Sequence, residues 1–312
     1  MLIIKLYFKK VIFTTKNIYK LEMLKNKKKI LIFGAYGNLG DIISRNLLKK
    51  FKILRVSRKK KSSVYIKNFL DIPKIINEKN PDIIINLIAE TNLDYCEKNK
   101  IKAKEANINA VKKILEGIKL NKKKIRLIHF STDGVYSQKK FNANREFDAK
   151  PINYYSKTKL LGEKIALKCN SIVIRTNFLG KQSKSKRLSL TDWIDTCIKK
   201  KKIMYGYKNV YFNPLHTSTL CQILIKIINK SKIRGTFNLG STGYISKNDL
   251  IKNFLKRSNN LKLLRPINYI KKDTIAPRPL NMIMNCKKIE KKLPIKLPSI
   301  KKEIYKTLKE YF

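Results

Sequence analysis

The chain is expected to fold as an α/β protein, a doubly wound parallel sheet with a smaller mixed C-terminal lobe. Three observations lead there. From Lys29 to Arg175, short β-branched runs alternate with stretches of helical spacing, the order that builds parallel strands joined by crossover helices. Glycines at Gly34, Gly37 and Gly40 follow the first run at once. Beyond Arg175 the alternation becomes irregular, which sets a second lobe apart from the first.

Strands are predicted over residues 30–33, 53–56, 82–87, 125–130 and 172–174, each an apolar run of the kind buried on both faces of a parallel sheet. Helices are predicted over 38–50, 72–79, 95–120 and 154–168, with Pro81 as a breaker before the third strand and Gly162 inside the last helix. In the second half, 191–200 and 217–229 read as helical, and 206–212 and 236–239 as extended. A helix over 246–257 begins at the cap-like Ser246, and one over 300–311 follows a loop punctuated by Pro266, Pro277 and Pro279. Trp193, beside Ile194 and Cys197 on a helical face, reads as core.

Composition narrows the classes. With 43% hydrophobic residues the chain can bury a large core, although 72 Lys and Arg stand against 21 Asp and Glu, a formal net charge of +51. The basic residues are mostly lysine and run evenly along the chain beside Ile and Asn, so they read as a general surface bias, and no specific nucleic-acid partner is expected. The five cysteines are scattered, without the paired spacing of metal or dithiol motifs; free thiols, no metal and a cytoplasmic location follow. No run approaches the roughly 18 apolar residues of a membrane span. Residues 1–27 read as a mobile arm, with Met23 an equally good start.

The first chemical constellation is Gly34-Ala35-Tyr36-Gly37-Asn38-Leu39-Gly40, between a strand and a helix. Glycines there let the backbone turn tightly and approach a pyrophosphate, whose charge the helix N-terminus stabilises. Gly34, Gly37, Asn38, Leu39 and Gly40 are therefore candidate dinucleotide-binding residues, and 28–175 a dinucleotide-binding domain. At the end of the second strand stand Ser57 and Arg58 where an acidic residue would take the ribose hydroxyls of NAD. A guanidinium pairs with a 2′-phosphate, so NADPH is the expected cofactor, with NADH the alternative.

The second constellation is Ser131-Thr132-Asp133 at a strand end, followed after a loop by Tyr155 and Lys159. Their i, i+4 spacing puts phenol and ammonium on one helix face. The ammonium is expected to favour the phenolate and bring the Tyr155 pKa toward working pH. Thr132 can hydrogen-bond the same substrate oxygen.

Taken in order, these motifs resemble the extended short-chain dehydrogenase/reductase superfamily, and within it the dTDP-4-dehydrorhamnose reductase family. The segments 86–94, 130–136, 155–163 and 174–180 continue in register, and Asn109 matches the Asn of the helix after the fourth strand. The likeness spans residues 30–293 and is weaker beyond Gly180. It implies a Rossmann sheet, a substrate-binding lobe over 176–312, and hydride delivery to the C4 keto group of a nucleotide-linked deoxy sugar in surface-polysaccharide biosynthesis. Tyr155 would protonate the developing alkoxide, Lys159 would hold the nicotinamide ribose, and Thr132 would orient the carbonyl. Ala89 and Thr91 would line the nicotinamide side, and Asp71 with Ile72 would meet the adenine edge. Asp133, Asn177, His216 and Arg278 would contact substrate. A homodimer is compatible with the resemblance. Gly134 stands where the rhamnose enzymes usually have Tyr, and the Asp-Glu pair of sugar-nucleotide dehydratases is missing, which argues against dehydration. Two alternatives share the scaffold: a nucleotide-sugar epimerase, and a non-catalytic subunit resembling the regulatory subunit of methionine adenosyltransferase.

Overall fold

The computed structural model describes residues 27–58, 62–137, 143–182, 188–270 and 274–312. The arm up to residue 26, including Met23, and the lysines 59–61 lie outside the described residues.

Six strands form in chain order: β1 (Lys29–Phe33), β2 (Lys52–Ser57), β3 (Val64–Tyr65), β4 (Ile83–Asn86), β5 (Arg126–Thr132) and β6 (Ser171–Thr176). The short strands β7 (Phe178–Leu179), β8 (Met204–Tyr207), β9 (Tyr211–Phe212) and β10 (Leu215–His216) follow. Then come β11 (Gly235–Leu239), β12 (Ile245–Ser246) and β13 (Leu264–Ile267). The central sheet is parallel, in the order β11-β6-β5-β4-β1-β2-β3. Strand order reverses between β1 and β4, and the carboxyl ends there open the crevice in which doubly wound sheets take ligands.

Both faces of the sheet are covered because its strands are apolar throughout. Ile30, Ile32, Ile83, Ile85 and Ile128 pack on one side, and Leu31, Phe33, Ile84 and Leu127 on the other. A third core joins Met204, Phe212, Ile251, Phe254 and Ile304 in the C-terminal half. Around it, β10 pairs with β7, β12 with β9 and β13 with β8.

The division at residue 175 needs correcting. β11 pairs in parallel with β6, and helix Thr217–Asn229 buries Leu220, Leu224, Ile227 and Ile228 in the same core as Ile30 and Ile32. The sheet is thus completed by the C-terminal half, which gives the β6 edge a partner for its backbone groups. The stretch 95–120, expected as one helix, is broken at Asn99 and widened into a π segment over Glu105–Asn109. Tertiary bonds account for the widening: buried Asn107 donates to the carbonyl of Glu90 and to Thr158 Oγ1, and accepts from the Glu90 amide. Asn109, which the resemblance aligned, is exposed; Asn107 is the inward-facing residue. Trp193, expected in the core, is 37% exposed.

Candidate active site

The loop after β1 shows which glycines packing demands. Gly34 has φ +74°, and a Cβ there would stand 2.8 Å from the Leu87 carbonyl carbon. At Gly40 a Cβ would come within 2.1 Å of the Gly34 oxygen, so helix Asn38–Leu47 could not sit so close to β1. Gly37 differs: its Cβ would meet only the Gly34 oxygen, at the ordinary contact distance of 3.4 Å. Packing does not exclude a side chain at Gly37, and a bare backbone there suits a bound group. No side chain caps the helix at Gly37, and Gly34, Gly37, Asn38, Leu39 and Gly40 all line the main cleft. Uncapped first-turn N–H groups beside a bare loop fit a dinucleotide pyrophosphate. Arg55 on β2, not singled out in the sequence, steadies this loop by donating to the Ala35 carbonyl at 3.1 Å and to Asp41, with its guanidinium over the Tyr36 ring.

The cleft has a volume of about 630 Å³ and runs from this loop to the C-terminal lobe. Ala89, Thr91, Thr132, Asp133, Tyr155 and Lys159 line it. Thr132 ends β5, while Tyr155 and Lys159 sit one turn apart on helix Tyr154–Ala166. Asn153 fixes the start of that helix: its Oδ1 accepts from the Ser156 amide at 2.8 Å and its Nδ2 donates to the Pro277 carbonyl at 2.9 Å.

Lys159 Nζ donates to the Phe130 carbonyl at 2.8 Å, and burial pushes its pKa down to about 8 against the opposing pull of Glu163. Burial pushes the Tyr155 phenol well above its ordinary value, with a Thr132 hydrogen bond opposing. The expected phenolate is therefore not formed in the open cleft: desolvation, reinforced by the nearby Asp133 and Glu90, outweighs the Thr132 hydrogen bond, and the lysine is directed to a carbonyl. A neutral phenol is the form that can give a proton.

Behind Lys159 lies a buried network that the sequence reading missed. Glu163, one turn further along, accepts from the Ser131 hydroxyl. It also takes Nε and Nη2 of Arg175, the latter at 2.6 Å. Arg175 Nη1 reaches the Tyr136 hydroxyl at 2.9 Å and the Glu146 carbonyl. Tyr136 in turn donates to Asn238 on β11 at 2.6 Å. The i, i+4 spacing of Lys159 and Glu163 was the one local signal.

At the other end of the cleft, Asp133 is buried, and desolvation pushes its pKa up to about 6 against the pull of Asn177, Lys247 and Thr132. Asn177 Nδ2 donates to its Oδ2 at 2.7 Å, and Thr132 Oγ1 to its Oδ1 at 3.3 Å. Lys247, also missed, lines the same wall, its Nζ 3.4 Å from the centre of the Phe212 ring. In so lysine-rich a chain, no sequence signal marked it.

Other expected contacts lie elsewhere. His216 is buried outside the cleft lining, with Nδ1 against Ser218 Oγ at 2.7 Å and Nε2 against Glu310 at 3.1 Å; it caps helix Thr217–Asn229. Arg278 pairs with Asp94 at 2.6 Å, and its neighbour Pro279 is the residue that lines the cleft. Asp71 accepts from the Lys67 and Asn68 amides, closing a turn. Ile72 is fully buried, and its amide is bonded to the Phe69 carbonyl, so neither its side chain nor its N–H is open to an adenine ring. Ser57 and Arg58 end β2 outside the cleft lining, with the exposed Arg58 guanidinium 5.5 Å from the Phe69 ring centre.

A parallel sheet with a glycine loop at its switch point, facing a Thr and a Tyr-x-x-x-Lys helix across one cleft, is the architecture of the extended short-chain dehydrogenases/reductases. The profile of one family in that class, described as RmlD substrate binding domain, matches residues 28–312. The chain belongs to this family. It is 25% identical over 300 residues to the dTDP-4-dehydrorhamnose reductase of Salmonella typhimurium, covering 91% of this chain and 98% of that one. It is 24% identical over 270 residues to the spore coat polysaccharide biosynthesis protein SpsK of Bacillus subtilis, covering 84% and 90%. The crystal structure of a Bacillus anthracis dTDP-4-dehydrorhamnose reductase in complex with NADP superposes with a TM-score of 0.81 at 22% identity, over 91% of this chain and 99% of that one. Among the described residues no helix is long and apolar enough to cross a membrane.

Proposed function

We propose that the protein reduces the 4-keto group of a nucleotide-linked deoxy sugar, with NADPH as reductant, in the biosynthesis of surface-polysaccharide sugars. The observation that carries this reading is one cleft joining an uncapped glycine loop to a neutral, buried Tyr155 beside Thr132 and Lys159. Gly34, Gly37, Asn38, Leu39 and Gly40 would hold the cofactor diphosphate, Ala89 and Thr91 would flank the nicotinamide, and Lys159 would bind its ribose. The bound cofactor supplies the hydride. Thr132 orients the ketone oxygen, and Tyr155 gives that oxygen its proton as negative charge develops, with Lys159 offsetting the charge left on the phenol. The relatives' names support this reading, as do the intact Thr132, Tyr155 and Lys159. Incubating the protein with dTDP-, UDP- and GDP-linked 4-keto sugars and NADPH tests it. Loss of NADPH absorbance with one of them is expected, and no turnover with any would overturn the proposal.

Two further expectations attach to this site. Arg58 is exposed just after β2, without an acidic partner among the described residues, and is proposed to meet the 2′-phosphate. Titration should show tighter binding of NADPH than NADH, and Arg58→Ala should narrow the gap; equal affinities in the unmutated protein would contradict it. The second concerns pH. The Lys159 ammonium, with its pKa pushed down to about 8, is charged below that pH and neutral above it. Its help to Tyr155 is therefore lost as pH rises, and kcat/KM is expected to fall on the alkaline side of about 8. Lys247 is also pushed down to about 8, so the limb must persist in Lys247→Met if Lys159 is its source.

A homodimer and a cytoplasmic location are part of the same proposal. Exposed Ile101 and Leu161, on neighbouring helices, support the first, and the free thiols support the second.

A further inference from the structure

A lysine taken out of water without a carboxylate in contact is unfavourable, and such groups persist where something completes them. Lys247 is half-buried in the cleft wall, and a ligand filling the cleft would complete its removal from water. Its backbone is fixed at the start of helix Lys247–Arg257, where its amide donates to the Val210 carbonyl at 2.9 Å and Ser246 caps the turn. Its Nζ sits over the Phe212 ring, and burial pushes the amine down to about 8. Among the described residues its Nζ makes no hydrogen bond and no ion pair; Asp133, across the cleft wall, is the one carboxylate it senses. Only Lys159 and Lys247 bring positive charge to the described cleft lining, and Lys159 is engaged by the Phe130 carbonyl.

The position narrows what completes it. Asp133 directly follows Thr132, so the Lys247 end of the cleft lies beside the reacting carbonyl. The Asp133 carboxylate already accepts from Asn177, Thr132 and the Gly134 amide, and of the roughly four lone-pair sites of a carboxylate this leaves room for a further donor. Beyond Gly134, the Ser156 hydroxyl lines the cleft, buried and without a partner among the described residues. A donor without an acceptor, a carboxylate and an unsatisfied hydroxyl line the same cleft, as a neutral group that both donates and accepts would require.

We propose that Lys247 and Asp133 together read a hydroxyl on the sugar carbon next to the one reduced, Lys247 donating to its oxygen and Asp133 accepting its proton. This rests on the keto-sugar reading above, and it makes Lys247 a specificity-determining residue for that reaction. A site built to bond a hydroxyl discriminates against the analogue that lacks it, because its polar groups are then left unpaired.

The test compares dTDP-4-keto-6-deoxyglucose with its 3-deoxy counterpart, dTDP-4-keto-3,6-dideoxyglucose, using the full chain and NADPH. The unmutated protein is expected to prefer the hydroxylated sugar in kcat/KM. Lys247→Met, which keeps the length of the stem, is expected to reduce that preference roughly 30-fold, the scale of one hydrogen bond to a charged group. NADPH affinity should be unchanged, which reports an intact fold. No preference in the unmutated protein, or an equal preference in the variant, would overturn the inference. Where the unmutated protein reduces another of the nucleotide-linked 4-keto sugars instead, the same comparison is made on that sugar and its analogue lacking the adjacent hydroxyl; failure to reduce any of them removes the keto-sugar reading, and this inference with it.

Discussion

Tyr155→Phe is expected to lower turnover by roughly 10²-fold or more while leaving NADPH binding within a few fold, as for the loss of a positioned general acid. The ring is 9% exposed and packs with Cys96 and Ala103, so removing its hydroxyl leaves the packing in place. What disappears is the proton that burial keeps on the phenol. Lys159→Met should weaken both turnover and cofactor binding, since the ammonium is proposed to serve the ribose as well as the phenol. Initial rates with the accepted keto sugar, set beside NADPH titration, separate the two effects. Unchanged turnover in Tyr155→Phe would take Tyr155 out of the mechanism and leave only the cofactor loop standing.

The second large effect is on stability. Arg175 and Glu163 have side chains only 4% and 2% exposed, and they meet through three hydrogen bonds. Burial favours the neutral arginine, but the Glu163 contacts outweigh it and raise the Arg175 pKa, so the pair is held charged. Arg175→Met would leave the buried Glu163 carboxylate with the Ser131 hydrogen bond and the pull of Lys159 but no ion-pair partner in contact, at a cost of about 3–5 kcal/mol. For a chain of this size that corresponds to a fall of roughly 5–8 °C in the unfolding midpoint. Replacing both partners, as Arg175→Met with Glu163→Gln, should recover much of the loss because no charge is then stranded. Thermal unfolding of the three proteins decides the matter; a single variant as stable as the parent would show that the pair contributes little.

The parts legible in the sequence are those written in short stretches. The glycine loop, Thr132-Asp133 and the Tyr155–Lys159 pair each lie within one turn or one strand end, so spacing alone brings their groups together. The apolar strands were equally plain, since a strand buried on both faces needs nearly every side chain to be apolar. What escaped depends on contacts between distant segments. Lys247 becomes unusual only when helix Lys247–Arg257 carries it to the cleft, and among so many lysines nothing local distinguished it. His216 was read toward substrate, yet Glu310, near the other end of the chain, takes its free nitrogen. Asn107, not the Asn109 that the resemblance aligned, faces inward, in a π segment that a local match of residues does not reveal.

The late return of β11 bears on how the protein is made. The glycine loop proposed to hold the cofactor is translated early, but the strand beside β6 and the helix covering that side arrive only after the intervening segments. A nascent chain ending soon after Thr176 would present β6 as an open edge and leave the apolar side chains of β5 and β6 uncovered, a form prone to pair with other chains. The pairing also has high sequence separation, so its loop must close before its contacts contribute, which slows folding. The two halves are therefore one cooperative folding unit, and the cofactor sheet cannot be expressed by itself as a minimal binding module.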